Sequence, residues 1–127
     1  MQFQQLLTNI ISNAIKYKKE NLNPVIKINA VKVSASEIKE EVNSSADEFW
    51  KISISDNGIG FEPQYATKIF DLFQRLHGKN EYSGTGIGLA ICKKIMHNHQ
   101  GIVIAESELG KGATFHIYLP IITESKI

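Results

Sequence analysis

The run Ser83-Gly84-Thr85-Gly86-Ile87-Gly88-Leu89-Ala90-Ile91-Cys92-Lys93-Lys94 sets glycines at alternate positions immediately before a helix-forming stretch. Glycine lets a backbone approach a ligand closely, and a helix start presents unpaired N–H groups with partial positive charge. The arrangement therefore favours an anion such as a polyphosphate. The Rossmann spacing and the Walker lysine are both missing, which excludes two common phosphate-binding classes. A second glycine pair follows a strand-like segment, in Asp56-Asn57-Gly58-Ile59-Gly60-Phe61. A carboxylate where a strand gives way to glycines can accept hydrogen bonds from an exocyclic amine such as that of adenine, with Gly58 and Gly60 leaving room for base or sugar. Read alone, Asp-Asn-Gly is equally a turn. Far upstream, Asn9, Asn13 and Lys16 fall within one narrow arc of a helix at roughly 100° per residue. Mg²⁺ bridging phosphates keeps several waters, so the amide oxygen of Asn13 could be its only protein ligand, and Lys16 could place an ammonium near a phosphate. The same three residues would also suit the edge of a surface helix. Together the three sets point to a nucleotide site.

A chain of 127 residues fits one compact domain that can bury its own core without disulfides or a structural metal. Hydrophobic residues make up 43% and charged residues 21%, as in ordinary globular proteins. A formal charge of +1 gives no reason to expect nucleic acid or an anionic membrane as partner. The one cysteine, Cys92, has no partner for an internal disulfide and no companions for a metal cluster, which agrees with a cytoplasmic setting and with a buried apolar role on a helix. No apolar stretch approaches the roughly 20 residues that span a bilayer, and Met1-Gln2-Phe3-Gln4-Gln5 is unlike a signal peptide. A soluble domain is expected. The chain enters a helical pattern almost at once, which reads as a piece of something longer.

The elements that must position these residues follow from periodicity. Phe3, Leu6, Leu7, Ile10, Ile11, Ala14 and Ile15 recur at helical spacing, so a helix is expected near 3 to 19, with Asn23-Pro24 stopping it. Val25 to Val33 and Phe49 to Ser55 read as strands, joined by a Ser- and Glu-rich connection. A short helix at about 63 to 73 precedes the polar stretch Gln74 to Ser83, read as a mobile loop. The next helix runs from Ile87 to about His99, with Gly101 as its cap, and Ile102–Glu106 and Ala113–Leu119 form a closing hairpin. The expected class is α+β: a two-layer α/β sandwich whose mixed, mostly antiparallel sheet is covered on one face by about three helices.

The ordered set of motifs resembles the catalytic and ATP-binding domain of a sensor histidine kinase, within the wider ATPase and kinase group that includes gyrase, heat-shock chaperones and mismatch-repair ATPases, the Bergerat fold. Asn9-Ile10-Ile11-Ser12-Asn13-Ala14-Ile15-Lys16-Tyr17 is similar to its N box, Asp56–Gly60 to its first glycine box, and Phe70-Asp71-Leu72-Phe73 to its F box. Gly84–Leu89 is similar to the second glycine box, and Gly110-Lys111-Gly112 with Thr114 and Phe115 to the last turn and strand. The match covers nearly the whole chain, in order.

The resemblance implies ATP and Mg²⁺ as cofactors. Asn13 would ligate Mg²⁺, Lys16 would contact a phosphate and Tyr17 would border the adenine. Asp56 would bind the adenine amine, assisted through water by Thr114, with Gly58 and Gly60 beside it. Gly84, Thr85, Gly86, Gly88 and Leu89 would line the phosphates. Phe70 and Phe73 would anchor an ATP lid, from which Arg75, His77 or Lys79 could swing toward the γ-phosphate. Hydrolysing members of the wider group carry a glutamate one turn before the metal asparagine, and here that position is Asn9, an amide that cannot act as a general base. Phosphotransfer to an acceptor is therefore expected rather than vigorous hydrolysis. The four histidines are followed by Gly78, Asn98, Gln100 and Ile117, none of them the acidic residue that follows the family's acceptor histidine. The acceptor is expected on a separate dimerisation domain, the full-length protein as a homodimer that passes its phosphoryl group to a response regulator. Residues 1–127 would form one catalytic domain lacking that acceptor domain and touching neither nucleic acid nor membrane. A nucleotide-binding regulatory module without catalysis, or an ATPase of the gyrase and chaperone type, is the alternative.

Overall fold

The computed structural model describes residues 2–40, 42, 44–65, 70 and 88–121. Its first element is helix α1 (Gln2–Lys16), whose positions Leu6, Ile10 and Ala14 are buried because a spacing of four residues keeps them on one face. The helix ends three residues short of the expected end. The carbonyl of Tyr17 accepts the N–H of Ile59 at 3.0 Å, so it is not used to continue the helix. Asn21 then turns the chain with a left-handed φ of 64°.

Four strands follow the expected pattern: β1 (Ile26–Ser34), β2 (Glu48–Asp56), β3 (Ile102–Glu108) and β4 (Gly112–Pro120). They lie in the order β1-β2-β4-β3, and every pairing among the described residues is antiparallel. The connection at 35–47 begins with a 3-10 turn, Ala35–Glu37, and is closed at its base by Ala35 N–H donating to the Asp47 carbonyl at 2.8 Å. Alternation divides the sheet into two faces. Ile54 stands opposite Phe115, and Phe115 opposite Ala105, so one row of apolar side chains faces the helices. The other face carries a polar row beside the buried Phe49 and Tyr118: Ser53 Oγ lies 2.8 Å from His116 Nδ1, His116 Nε2 lies 3.0 Å from Glu106 Oε1, and Ser55 and Thr114 hydroxyls meet at 2.9 Å.

Helix α2 (Gly88–Asn98) packs beside α1 over the apolar face, with Cys92, Ile95 and Met96 in the core. Burying side chains such as Leu6, Ile10, Met96 and Ile117 stabilises the fold by roughly 1.5–3 kcal/mol each. The α2 terminus departs from expectation in its cap. Gln100, not Gly101, takes the left-handed conformation, with φ 62°, and the cap is closed by Gln100 N–H to His97 O at 3.1 Å and Gly101 N–H to Met96 O at 2.9 Å. Gly101 is needed for a different reason, since a Cβ there would run into the Tyr118 carbonyl of β4.

The helix expected at 63–73 shows a 3-10 turn at Pro63–Tyr65 and a buried Phe70, whose ring meets Phe115 edge-on at 6.1 Å. The rest of that helix, the loop at 74–83 and the glycines at 84 and 86 lie outside the described residues. No described helix is long and apolar enough to cross a membrane.

Candidate functional site

Asp56 is the last residue of β2, on the helix-facing side of the sheet. Its Oδ1 accepts the N–H of Gly58 at 2.8 Å and that of Ala113 at 3.3 Å. Burial pushes its carboxyl above the ordinary value, and these two backbone donors pull in the opposite direction by favouring the anion. Both bonds fall on Oδ1, and among the described residues Oδ2 has no hydrogen-bond donor, while Asp56 lines the recess alongside. That recess is a shallow, partly open one, lined by Asn13 and Tyr17 of the α1 end, by Asp56, Ile59, Gly60 and Phe61, and by Ala113 and Phe115 of β4. Its walls combine apolar surface with a few convergent polar groups, as the walls of small-molecule sites do.

The segment after Asp56 is fastened on three sides. Asn57 Oδ1 accepts the Val25 N–H at 2.9 Å and its Nδ2 donates to the Asn23 carbonyl at 3.2 Å, tying the α1–β1 connection to the end of β2. Ile59 donates to Tyr17 O, and its carbonyl accepts the Gly110 N–H at 2.7 Å. Phe61 N–H donates to Ser107 Oγ at 2.8 Å. The glycines permit this crowding. A Cβ on Gly58 would stand 2.7 Å from Tyr17 O. Gly60, at φ 68°, has the Gly112 carbonyl 2.8 Å from where a Cβ would be. The room expected at Gly58 and Gly60 for base or sugar is thus taken up by the protein's own backbone, although Gly60 still lines the recess.

Residues 1–123 match the family model described as histidine kinase-, DNA gyrase B- and HSP90-like ATPase, HATPase_c. The chain belongs to this family. This HATPase_c domain is 45% identical over 120 residues to cyanobacterial phytochrome A of Nostoc sp., covering 94% of the chain and 14% of that relative. It is 37% identical over 124 residues to sensor protein SrrB of Staphylococcus aureus, covering 94% of the chain and 18% of the relative. The domain therefore spans less than a fifth of either protein's length. Among solved structures, full-length ShkA in complex with AMPPNP superposes with a TM-score of 0.70 at 25% identity, covering 98% of this chain and 22% of that one.

Of the residues singled out by sequence, the HATPase_c fold brings Asn13, Tyr17, Asp56 and Gly60 to one recess, while Gly58 is buried and not among the lining residues. Lys16 is the exposed last residue of α1 and is not among the lining residues. Asn9 is half-buried, and its side chain hydrogen-bonds the Cys92 thiol of α2. Thr114 does not join the site: strand alternation turns it to the opposite face, where it bonds Ser55, and the preceding residue, Ala113, takes the place by the carboxylate. Gly88 and Leu89 begin α2. Phe73, Arg75, Gly84, Thr85 and Gly86 lie outside the described residues. Ile59, Phe61, Ala113 and Phe115 were not expected in the site, yet alternation from Ile117 already places the last two on the inner face. Asn57 and Ser107 act through long-range bonds that no local pattern reveals.

Proposed function

We propose that this domain binds Mg²⁺·ATP in the recess beside Asp56 and donates the γ-phosphoryl group to a histidine on a separate dimerisation domain. In this reading it is the kinase core of a homodimeric two-component sensor that signals to a response regulator. The observation that carries it is the Asp56 carboxylate, held on Oδ1 by two backbone N–H groups and lining one recess with Asn13 and Tyr17. A carboxylate so held accepts from the exocyclic amine of adenine, while Ile59, Phe61 and Phe115 offer apolar surface to the ring. Tyr17 borders the base. Lys16 supplies a cation for the phosphates at the exposed end of α1, and the α2 start at Gly88 and Leu89 offers them the positive end of a helix dipole.

The donor set suits magnesium carried by a triphosphate. No group of three His, Cys, Asp or Glu side chains gathers among the described residues, and the Asn13 amide is a single hard oxygen donor of the kind such an ion accepts. Bound there with the nucleotide, Mg²⁺ would neutralise charge on the phosphate oxygens. In the transfer itself, the acceptor imidazole nitrogen bonds to the γ-phosphorus as the bond from that phosphorus to the β–γ bridging oxygen breaks, and ADP leaves. This chain contributes position and electrostatics. Asn9, an amide engaged with Cys92, offers no base to activate water, which favours transfer over hydrolysis.

The test is phosphoryl transfer from γ-labelled ATP to a separately purified dimerisation domain of a phytochrome-type sensor. Label on the acceptor, lost on Asn13→Asp substitution, supports the proposal. ATP binding without any transfer leaves a regulatory nucleotide module, and rapid hydrolysis by the domain alone favours an ATPase.

A further inference from the structure

We propose that Ser107, in the middle of the β3 end and outside the recess lining, is a positioning residue that sets the gap in which a purine is read. The inference rests on the nucleotide reading of the Asp56 site. The Ser107 hydroxyl does two things at once: Oγ accepts the Phe61 N–H at 2.8 Å and donates to the Gly112 carbonyl at 2.6 Å. Phe61 is one wall of the recess, and Gly112 precedes Ala113, which is the other wall and whose N–H holds Asp56 Oδ1. One oxygen thus links the Gly60–Phe61 wall to the strand that fixes the carboxylate. There is no slack in the link. A Cβ on Gly60 would stand 2.9 Å from Ser107 Oγ, so the hydroxyl is already in contact with the turn it holds.

The chemistry requires this residue type. A single group must both accept and donate between two backbones, which a hydroxyl can do and a methyl cannot. Phe61 is 4% exposed, so its N–H has no access to bulk water once Oγ is removed. The turn at 60–61 must then shift to find another acceptor, and the recess changes width at the position where the base lies. Among the described residues the hydrogen bonds of Ser107 run to Phe61 and Gly112, and none runs to α1 or α2, where the phosphates are proposed to lie. Its loss is therefore expected to act on the base and not on the phosphates.

The experiment compares ADP with inorganic triphosphate, both with magnesium, as ligands of the wild-type protein and of Ser107→Ala, Ser107→Thr and Ile117→Val. The last is a core truncation outside the recess lining that controls for general loss of stability. The expected result is a five- to twentyfold rise in the ADP dissociation constant for Ser107→Ala with triphosphate binding unchanged. Ser107→Thr, which keeps the hydroxyl, should bind ADP within threefold of wild type, and Ile117→Val should bind as wild type. Amide exchange supplies a second readout that does not depend on Ser107→Ala folding well: in the wild type the Phe61 N–H should be protected, and in Ser107→Thr it should stay so. Equal losses for ADP and triphosphate, a loss shared by Ile117→Val, or an unprotected Phe61 N–H in the wild type would overturn the proposal. A wild-type protein that binds no ADP would overturn the nucleotide reading as well, whereas wild-type binding matched by Ser107→Ala would overturn the positioning role alone.

Discussion

Asp56→Asn separates recognition from stability at one atom. The substitution keeps the side-chain shape, and the amide oxygen can still accept the Gly58 and Ala113 N–H groups that now bond Oδ1. Oδ2 becomes an NH₂ that confronts the purine amine, donor against donor. A hydrogen bond to a charged group contributes about 1.5–3 kcal/mol. At about 1.4 kcal/mol per tenfold, the dissociation constant for ADP should rise roughly 10- to 150-fold. Inorganic triphosphate, which has no base, should bind as before. The folded protein should not suffer. Burial raises the Asp56 pKa in the native state, so its stabilising contribution is present below the ordinary value of 3.8 and is lost as pH rises through the folded value. At neutral pH the buried anion is a cost that the amide removes, and Asp56→Asn should melt at or above the wild-type temperature. The wild-type affinity for ADP should also weaken on acidification toward the raised pKa, while that of the variant stays flat. Calorimetric titrations with both ligands, with melting curves on the same samples, make the assay. Equal losses for ADP and triphosphate, or a variant that binds ADP as well as wild type, would refute the reasoning.

Gly60→Ala and Gly110→Ala both place a Cβ on left-handed backbone, at φ 68° and φ 84°, yet nothing lies within 4 Å of the second position. Gly110→Ala should cost about 1–2 kcal/mol in denaturant unfolding and leave ADP binding intact. Gly60→Ala should cost about 2–5 kcal/mol, because overpacking adds to the backbone penalty, and should abolish binding. Cys92 is fully buried and its thiol is pushed up to about 11, chiefly by desolvation, so iodoacetamide should modify it only as fast as the protein unfolds. A rate independent of denaturant would contradict that. The hydrogen bond from His116 holds the Glu106 carboxyl below its ordinary value of 4.5, so its contribution is present above that pH and lost as pH falls through the folded value. The carboxylate is 71% exposed, and Glu106→Gln should therefore cost no more than about 1 kcal/mol at pH 7, with the difference from wild type vanishing in acid unfolding curves.

Much of this architecture was legible in residue spacing. The four-residue repeat of Leu6, Ile10 and Ala14 and the alternation of Ile52 and Ile54 with Ser53 and Ser55 identify the buried faces, since side-chain direction follows directly from backbone period. Asn13, Tyr17 and Asp56 were expected together and line one recess. Thr114 was misplaced although the same alternation, run back from the inward Phe115, turns it outward. What spacing could not reveal is contact between distant segments. Just past α1 the Tyr17 carbonyl bonds the distant Ile59 N–H, and Gln100 takes the left-handed conformation that glycine adopts more readily, while Gly101 lies against the Tyr118 carbonyl. The Ser107 bridge to Phe61 joins residues 46 apart in sequence, and local propensity carries no trace of it.

The central claim is that the segments around Asn13, Asp56 and Ala113 form one adenine-nucleotide pocket, and the most direct measurement is an amide chemical-shift titration of the folded domain with AMPPNP and magnesium. The account predicts saturable shifts concentrated at Tyr17, Gly58, Ile59, Gly60, Phe61 and Ala113, with the polar-face residues Ser53 and His116 nearly still. Folded protein whose spectrum does not move, or moves chiefly on that opposite face, would contradict it.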